Sequence, residues 1–165
     1  VYTSNTGTTK EYAKLLSDKL SLPYYSLDEI KNKVKPGGKI IYLGWIMASG
    51  VKGYKKAIKD YDVCAVGAVG MGATGTQVKE VRTKNKIPSS KPVFTLPGGF
   101  DVKKLHGIYK LMMTIMVKTA GKGLANKQDR TQEEDQMLEM MLHGGKYVDE
   151  KNLKAILDWY GKRGE

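Results

Sequence analysis

The sequence has few of the residues on which several common functions depend. Its 165 residues include one cysteine, Cys64, and two histidines, His106 and His143. A single cysteine excludes a disulfide within the chain, and the apolar stretch around Cys64 is typical of a small core residue. No group of Cys, His and Asp residues has the spacing of a metal site, and no Ser-His-Asp arrangement is suggested. The sequence therefore predicts neither metal ligands nor a catalytic side chain.

Acidic residues and long apolar runs are also scarce. Lys and Arg total 28 against 17 Asp and Glu, and the formal net charge of +11 favours anionic partners. The chain has no motif in which aromatic and basic residues form a nucleic-acid groove, so specific nucleic-acid binding is not expected. No apolar run approaches membrane-spanning length and no signal peptide is recognised. A cytoplasmic location is expected, with peripheral contact at the inner membrane face as a further expectation.

The chain does contain a regular alternation of strand-type and helix-type segments. Such alternation favours right-handed crossovers and a parallel sheet. Apolar runs predict five strands, over 1–3, 23–27, 39–44, 62–67 and 92–96. Amphipathic spacing predicts helices after the first strand, with Tyr12, Ala13, Leu16 and Leu20 on one face, and over 29–34, 52–61, 74–86 and 149–162. The helix over 52–61 is basic, with Tyr54, Ala57, Ile58 and Tyr61 on its inner side.

Residues 101–148 do not fit this alternation, because they are far more than a normal connection between a strand and a helix holds. They begin with a predicted basic helix over 102–119, and a second helix follows, with Thr131 and Glu134 as a capping box. The first helix has a wide apolar face of Leu105, Ile108, Leu111, Met112, Ile115 and Met116. Two interpretations remain open. This face packs on the domain, or part of it is exposed and meets an apolar ligand or an anionic membrane surface.

The stretch Ser4-Asn5-Thr6-Gly7-Thr8-Thr9 joins the first predicted strand to the first predicted helix. The first N–H groups of a helix have no intrahelical partner, and the helix dipole adds positive charge there. Gly7 lets the backbone approach a ligand, and the hydroxyls can donate to anionic oxygens. The stretch therefore predicts a phosphate site that contains no lysine. The alternative is an ordinary helix cap, for which Ser, Asn and Thr are preferred residues.

A literal G-x-G-x-x-G over 70–75 suggests a second phosphate motif. It follows a predicted strand and precedes a helix, as a dinucleotide fingerprint does. The fingerprint belongs to the first such turn of the fold, however, and this is the fourth. Residues 86–98 also lack the acidic residue expected to hold a ribose. Dinucleotide binding is therefore the weaker interpretation.

The loop Ser4–Thr9 matches the flavodoxin pattern (Ser/Thr)-x-Thr-Gly-x-Thr, and the chain up to its fifth predicted strand also resembles a flavodoxin domain. The methionine-rich basic helix inserted before the last helix resembles the flavodoxin-like menaquinone-dependent protoporphyrinogen oxidases. The resemblance implies a flavodoxin-like three-layer α/β sandwich with a five-stranded parallel sheet in the order 2-1-3-4-5. It implies one such domain over 1–165, with 101–148 as a helical insertion before the last helix.

The resemblance also implies FMN as the cofactor, with its phosphate at 4–9 and its ring between loops at 45–50 and 68–73. Trp45 is the candidate for stacking on the ring, with a core position as the alternative, and Gly70 and Gly72 let backbone amides approach its pyrimidine edge. The implied cofactor-binding residues are Ser4, Asn5, Thr6, Gly7, Thr8, Thr9, Trp45, Ile46, Met47, Ala48, Val69, Gly70, Met71 and Gly72.

Two functions follow from the resemblance. The first is an FMN-dependent oxidoreductase that oxidises an anionic tetrapyrrole such as protoporphyrinogen with a quinone acceptor. The second is an electron carrier that shuttles electrons between redox proteins and is not itself an enzyme. The basic surface and the insertion favour the first slightly. The expected partners are accordingly a redox protein, or a quinone or porphyrin, with contact at an anionic membrane surface.

Overall fold

The computed structural model describes residues 1–100 and 107–163. The strands are β1 (Tyr2–Thr3), β2 (Lys39–Met47), β3 (Gly50–Val51), β4 (Asp62–Gly70), β5 (Val93–Pro97), β6 (Gly99–Phe100) and β7 (Gly145–Lys146). The α-helices are α1 (Thr8–Leu20), α2 (Tyr54–Asp60), α3 (Val78–Asn85), α4 (Gly107–Ala125), α5 (Gln132–His143) and α6 (Lys154–Gly161). Short 3-10 helices cover Ile30–Asn32 and Glu150–Leu153.

The main sheet is parallel and has the order β1-β2-β4-β5, with β3 added antiparallel to β2. On the free side of β1, Tyr2 forms an isolated parallel bridge with Ser26. The segments therefore lie in the predicted order, but the predicted strand over 23–27 is wrong. It is reduced to one bridge, held by the bonds from the Tyr2 amide to the Tyr25 carbonyl and from the Leu27 amide to the Tyr2 carbonyl. Because β1 itself has only two residues, it offers little edge for a longer partner.

Helices cover both faces of this sheet and make an α/β structure of three layers. The α2 and α3 helices pack on one face through Tyr54, Ala57 and Val81, and α1 and α6 pack on the other. Neighbouring strand residues alternate between the two cores, as a pleated strand requires: Tyr42 lies in the first core and Leu43 in the second. Burial on both faces explains why β2 and β4 are nearly continuous apolar runs.

Several predicted element boundaries are wrong by a few residues. The α3 helix begins at Val78 because 74–77 form turns, and only a 3-10 turn replaces the helix predicted over 29–34. On α2, Ile58 was predicted to face inward but is 47% exposed. The helix begins later than expected, at Tyr54, and its seven residues bury Tyr54 and Ala57. A helix this short buries one narrow stripe, so Ile58 is left outside it.

The insertion leaves and rejoins the domain through a two-stranded ribbon. Gly99 pairs with Lys146 and Phe100 with Gly145, antiparallel. The helix predicted over 102–119 is observed as α4 at 107–125, and 102–106 lie outside the described residues. The capping box is confirmed: the Thr131 amide donates to Glu134 Oε2 at 2.9 Å, and the Glu134 amide donates to Thr131 Oγ1 at 3.2 Å. None of the described helices is long and apolar enough to span a bilayer.

Tyr42 predicts a loss of stability in alkaline solution. Its ring is fully buried, and burial raises the pKa of the phenol from 10.0 to about 12. The pKa is raised in the folded state, so this stability is complete below pH 10 and is lost as the pH rises toward 12. The loss is at most about 2 to 3 kcal/mol. Urea unfolding between pH 9 and pH 12 measures it. The Tyr42→Phe variant should show a shallower dependence, and an identical slope would contradict the assignment.

Candidate functional site

The carboxyl ends of the parallel strands meet at one edge of the sheet. Thr3 pairs with Gly44, Trp45 with Val69, and Gly70 with Pro97. The connections that leave β1, β4 and β5 therefore start side by side. This is the edge at which open α/β sheets bind ligands. The structure thus brings together the predicted phosphate loop, the bend at Met71 and Gly72, and the glycine pair 98–99.

At the phosphate loop, the chain enters α1 through a left-handed residue. Gly7 has φ 97° and stands at the N-cap position, where no described side chain caps the helix. Ser4 Oγ accepts a hydrogen bond from the Gly7 amide at 3.1 Å, which closes a turn ahead of the helix. The alternative of an ordinary cap is therefore wrong. No hydroxyl group of the described loop caps α1. The first N–H groups of a helix have no intrahelical partner, so they are available to a ligand.

Thr9, the last threonine of the motif, is 1% exposed. Within the part of the chain that the structure describes, its Oγ1 is buried and has no hydrogen-bond partner. A buried hydroxyl without a partner costs about 1 to 3 kcal/mol, so native structures seldom keep one without a reason. A phosphate oxygen at the N-terminus of α1 would accept from this hydroxyl. The donor set of the loop therefore fits a phosphate group.

A cavity of about 340 Å³ adjoins the loop. Its lining includes Ser4, Asn5, Gly7 and Lys10, together with residues 26–28. Lys10 was not among the predicted site residues, although it directly follows the motif. Its ammonium supplies positive charge that the loop itself lacks. Asp28 also lines the cavity, and its ion pair with Lys56 at 2.8 Å lowers the pKa of Asp28, which keeps that carboxylate ionised.

The second half of the predicted site differs from expectation, because the proposed loops at 45–50 and 68–73 are largely strand. Trp45, Ile46 and Met47 belong to β2, and Val69 and Gly70 belong to β4. The hairpin from β2 to β3 turns at Ala48 and Ser49, which have φ 47° and 60°. Such turns usually contain Asn or Gly, so the sequence carried no hairpin signal. Both strands also continue because β4 stays paired as far as Val69 and Gly70.

Trp45 is half-buried. This exposure does not distinguish its two predicted roles, stacking on a ring and a position in the core. The Lys52 ammonium lies 5.5 Å from the centre of its ring. Ile46 contacts β4, where a Cβ at Gly70 would lie 3.0 Å from Ile46 Cδ1. This hairpin therefore borders the carboxyl edge of the sheet with one aromatic ring, one aliphatic side chain and one cation.

Asn85 holds the hairpin in place, and sequence reasoning missed it. The residue is 8% exposed at the end of α3. Its Oδ1 accepts from the Val51 amide at 2.9 Å, and its Nδ2 donates to the carbonyls of Ser49 at 2.8 Å and Val81 at 2.7 Å. One side chain thereby provides hydrogen-bond partners for backbone groups at the strained turn that follows Trp45. An asparagine near a helix end carries no sequence signal for such a role.

The Asn85→Ala variant is expected to lose about 2 to 3 kcal/mol of stability. The substitution leaves the buried Val51 amide without an acceptor and creates a small cavity. Urea unfolding measures the loss. In a Trp159→Phe background, where Trp45 is the remaining tryptophan, quenching of its fluorescence by iodide should increase because the hairpin loosens. Lys84→Ala, at an exposed position of the same helix, is the control and should change neither. Equal effects in the two variants would show that Asn85 does not hold the hairpin.

The glycine pair 98–99 packs directly against the phosphate loop. A Cβ at Gly98 would lie 2.8 Å from Val69 Cγ1, and one at Gly99 would lie 2.9 Å from Thr8 Cγ2. The Gly98 amide donates to the Gly70 carbonyl at 2.7 Å. Only glycine permits this approach. The two glycines that follow β5 therefore pack against Thr8. The sequence motif did not indicate this contact.

A buried tyrosine, Tyr12, connects the end of β5 to the segment before α6 through hydrogen bonds. Tyr12 Oη donates to the Pro97 carbonyl at 2.7 Å and accepts from Asn152 Nδ2 at 2.9 Å. Burial raises the pKa of Tyr12 and keeps the phenol neutral. Because Tyr12 lies on α1, the same bonds orient the helix whose N-terminus faces the site.

Comparisons with known proteins add no relative to this description. No protein-family model matches the chain, and neither curated proteins nor solved structures provided a match. The chain is therefore described by its fold and by the chemistry of its loop. It is an α/β sandwich with a parallel sheet, and at the carboxyl edge of that sheet lies a hydroxyl-rich helix N-terminus that no described side chain caps.

Proposed function

We propose that the protein is a flavodoxin-like oxidoreductase that binds FMN non-covalently, with the phosphate at residues 4–9. The observation that carries this proposal is the buried Thr9 hydroxyl, which has no partner within residues 1–100 and 107–163 and lies at the N-terminus of α1, where no described side chain acts as a cap. Phosphate matches both features, since it accepts from hydroxyl and amide donors together. The motif of the loop selects FMN among phosphate-bearing ligands, because it resembles the flavodoxin pattern.

The residues of the site would act as a binding and orienting frame. Thr9 and the first amides of α1 would donate to the phosphate, and Lys10 would offset its charge. Trp45 and Ile46 would border the ring from the hairpin, and Met71 and Gly72 would border it from the bend after β4. FMN supplies the electron-transfer chemistry when bound. The protein contributes position and a positively charged surface, with no acidic side chain at 45–50 or 68–73.

Titration with FMN and riboflavin tests the cofactor assignment. The two flavins share a ring system, but riboflavin lacks the phosphate. Two or more charge-assisted hydrogen bonds to the phosphate predict that FMN binds at least about 100-fold more tightly. Flavin fluorescence during titration measures both affinities, and inorganic phosphate should compete with FMN. Equal affinities, or no binding of either flavin, would overturn the proposal.

The proposed substrate class rests on the excess of positive charge of the chain. Lys10 lines the cavity, Lys52 lies over Trp45, and Lys55 is exposed on α2. This charge distribution suits an anionic tetrapyrrole such as protoporphyrinogen as electron donor, with a quinone as acceptor. The test is anaerobic turnover of protoporphyrinogen by the FMN-loaded protein with menaquinone. Turnover supports the enzyme. Transfer of electrons to a redox protein without turnover would identify an electron carrier instead.

A further inference from the structure

The outer face of α4 carries two large aliphatic side chains that the fold does not cover. Leu111 is 57% exposed and Ile115 is 53% exposed. They lie one turn apart on the same side of the helix, as residues four apart do. The opposite side of α4 faces inward, since Gly121 is buried and Val117 and Leu124 are half-buried. The exposed pair is therefore a feature of the outward side and not an incompletely packed core.

The same stripe continues with positive charge. Lys118 and Lys122 follow Leu111 and Ile115 at helical spacing, and both are exposed. Residues 107–125 contain no Asp or Glu. The acidic residues nearest in sequence after α4 lie in the connection to α5 and in α5 itself. There, Glu134 and Asp135 of α5 pair with Lys127 and Arg130 of the connection. The outward side of α4 thus has an aliphatic half and a basic half. The helix itself contains no acidic residue that could neutralise either lysine.

Two threonines on α4 would not oppose insertion into a lipid interface. Thr114 Oγ1 donates to the Lys110 carbonyl at 2.7 Å, and Thr119 Oγ1 donates to the Ile115 carbonyl at 2.9 Å. Because each hydroxyl is satisfied inside the helix, removing water from it leaves no donor unpaired. Lysine side chains in turn can place their stems along apolar surface while the ammonium stays in water.

We propose that the stripe Leu111, Ile115, Lys118 and Lys122, here called the α4 stripe, binds an anionic lipid surface. Charge complementarity selects this occupant, because a basic helix with a few inserted aliphatic residues needs no matching pocket. A second copy of the chain is disfavoured, since both partners would carry a net charge of +11. A stable protein partner would also need an interface much larger than four side chains. The inference does not depend on FMN, because the α4 stripe shares no residue with the proposed phosphate site.

Sedimentation of the 165-residue chain with lipid vesicles tests the proposal. The chain is expected to bind vesicles made of phosphatidylcholine and phosphatidylglycerol in equal parts, and not vesicles of phosphatidylcholine alone. Added salt should weaken binding, because surface electrostatics are screened. Absence of binding to the anionic vesicles would overturn the proposal. The assay is performed with and without FMN, so a failure here and a failure to bind flavin remain separate results.

Matched variants assign the binding to the α4 stripe. Leu111→Ser with Ile115→Ser should weaken vesicle binding about tenfold or more, whereas Leu22→Ser with Ile58→Ser, two exposed aliphatic positions elsewhere, should not. Lys118→Gln with Lys122→Gln should weaken it about 25-fold, at about fivefold for each lysine. Lys79→Gln with Lys84→Gln on α3 has the same net charge and should have a much smaller effect. Circular dichroism verifies that each variant folds.

Two outcomes would contradict the assignment to lipid. If the α3 lysine variant weakens binding as much as the α4 variant, the contact is a general effect of net charge. If the unmodified chain is a dimer that Leu111→Ser with Ile115→Ser converts to a monomer, the α4 stripe is a contact between copies of the chain. Sedimentation velocity without lipid distinguishes this second case.

Discussion

Replacing Thr9 with valine is expected to weaken FMN binding and, at the same time, to stabilise the ligand-free chain. Valine keeps the shape of threonine and removes a buried hydroxyl that has no partner among the described residues. The free energy of unfolding should therefore rise by about 1 kcal/mol or more. The affinity for FMN should fall about 10- to 100-fold, because a hydrogen bond to a charged group is lost. Urea unfolding and flavin titration measure the two effects.

Opposite signs in these two measurements distinguish a ligand-binding residue from a structural one. A threonine that only supports the fold would lose stability on substitution, and FMN affinity would follow passively. Thr9→Ser retains the hydroxyl and should bind FMN nearly as the original chain does. Thr83→Val, at an exposed position on α3, should change neither quantity. A destabilised Thr9→Val chain with unchanged FMN affinity would remove the main support for the phosphate site.

The Gly53→Ala variant is expected to have the largest effect on stability. Gly53 has φ 80°, and its Cα faces the end of β1. A Cβ there would lie 2.5 Å from Thr3 Oγ1 and 3.0 Å from Leu27 Cδ2, and it would overlap the Tyr42 hydroxyl. Backbone strain and overpacking together should cost about 3 kcal/mol or more. The melting temperature should then fall by about 10 °C. Thermal unfolding followed by circular dichroism measures it.

A glycine with the same backbone conformation but open surroundings provides the control. Gly37 has φ 76°, and no atom lies within 4 Å of its hypothetical Cβ. Gly37→Ala should therefore cost only the backbone term, about 1 to 2 kcal/mol. The difference between the two variants measures the packing of α2 against Thr3, the residue before the phosphate loop. Equal losses would show that the close contacts at Gly53 relax without cost.

The fold class was predictable from the sequence, because it depends on local patterns. The continuous apolar runs of β2 and β4 indicate strands buried on both faces, and the spacing of Tyr12, Ala13 and Leu16 indicates the inner face of α1. The capping box at Thr131 and Glu134 is equally local and was confirmed. Element ends were less predictable, since β4 continues to Gly70 only because β5 pairs with it there.

Some features of the candidate site were likewise predictable from the sequence, and others were not. The loop Ser4–Thr9 was predictable because its residues are consecutive, and Gly7 does adopt the left-handed conformation that favours glycine. The hairpin after Trp45 was not predictable, because Asn85 satisfies its turn from 34 residues beyond Val51. Lys10 and the glycine pair 98–99 were missed for the same reason: their role depends on which segments the sheet places side by side.

The order of the elements, the hydroxyl groups of the loop Ser4–Thr9 and the excess of positive charge were therefore all evident from the amino-acid sequence. They are properties of single residues and of near neighbours. Tertiary contacts between distant segments settled the remaining questions. They buried Thr9 Oγ1 without a partner among the described residues and left Leu111 and Ile115 on the outside of α4. They also extended β2 and β4 into the two segments where ring loops were expected. Burial and hydrogen-bond satisfaction are shared by residues far apart in the chain, so they exist only once the sheet and its helices have packed.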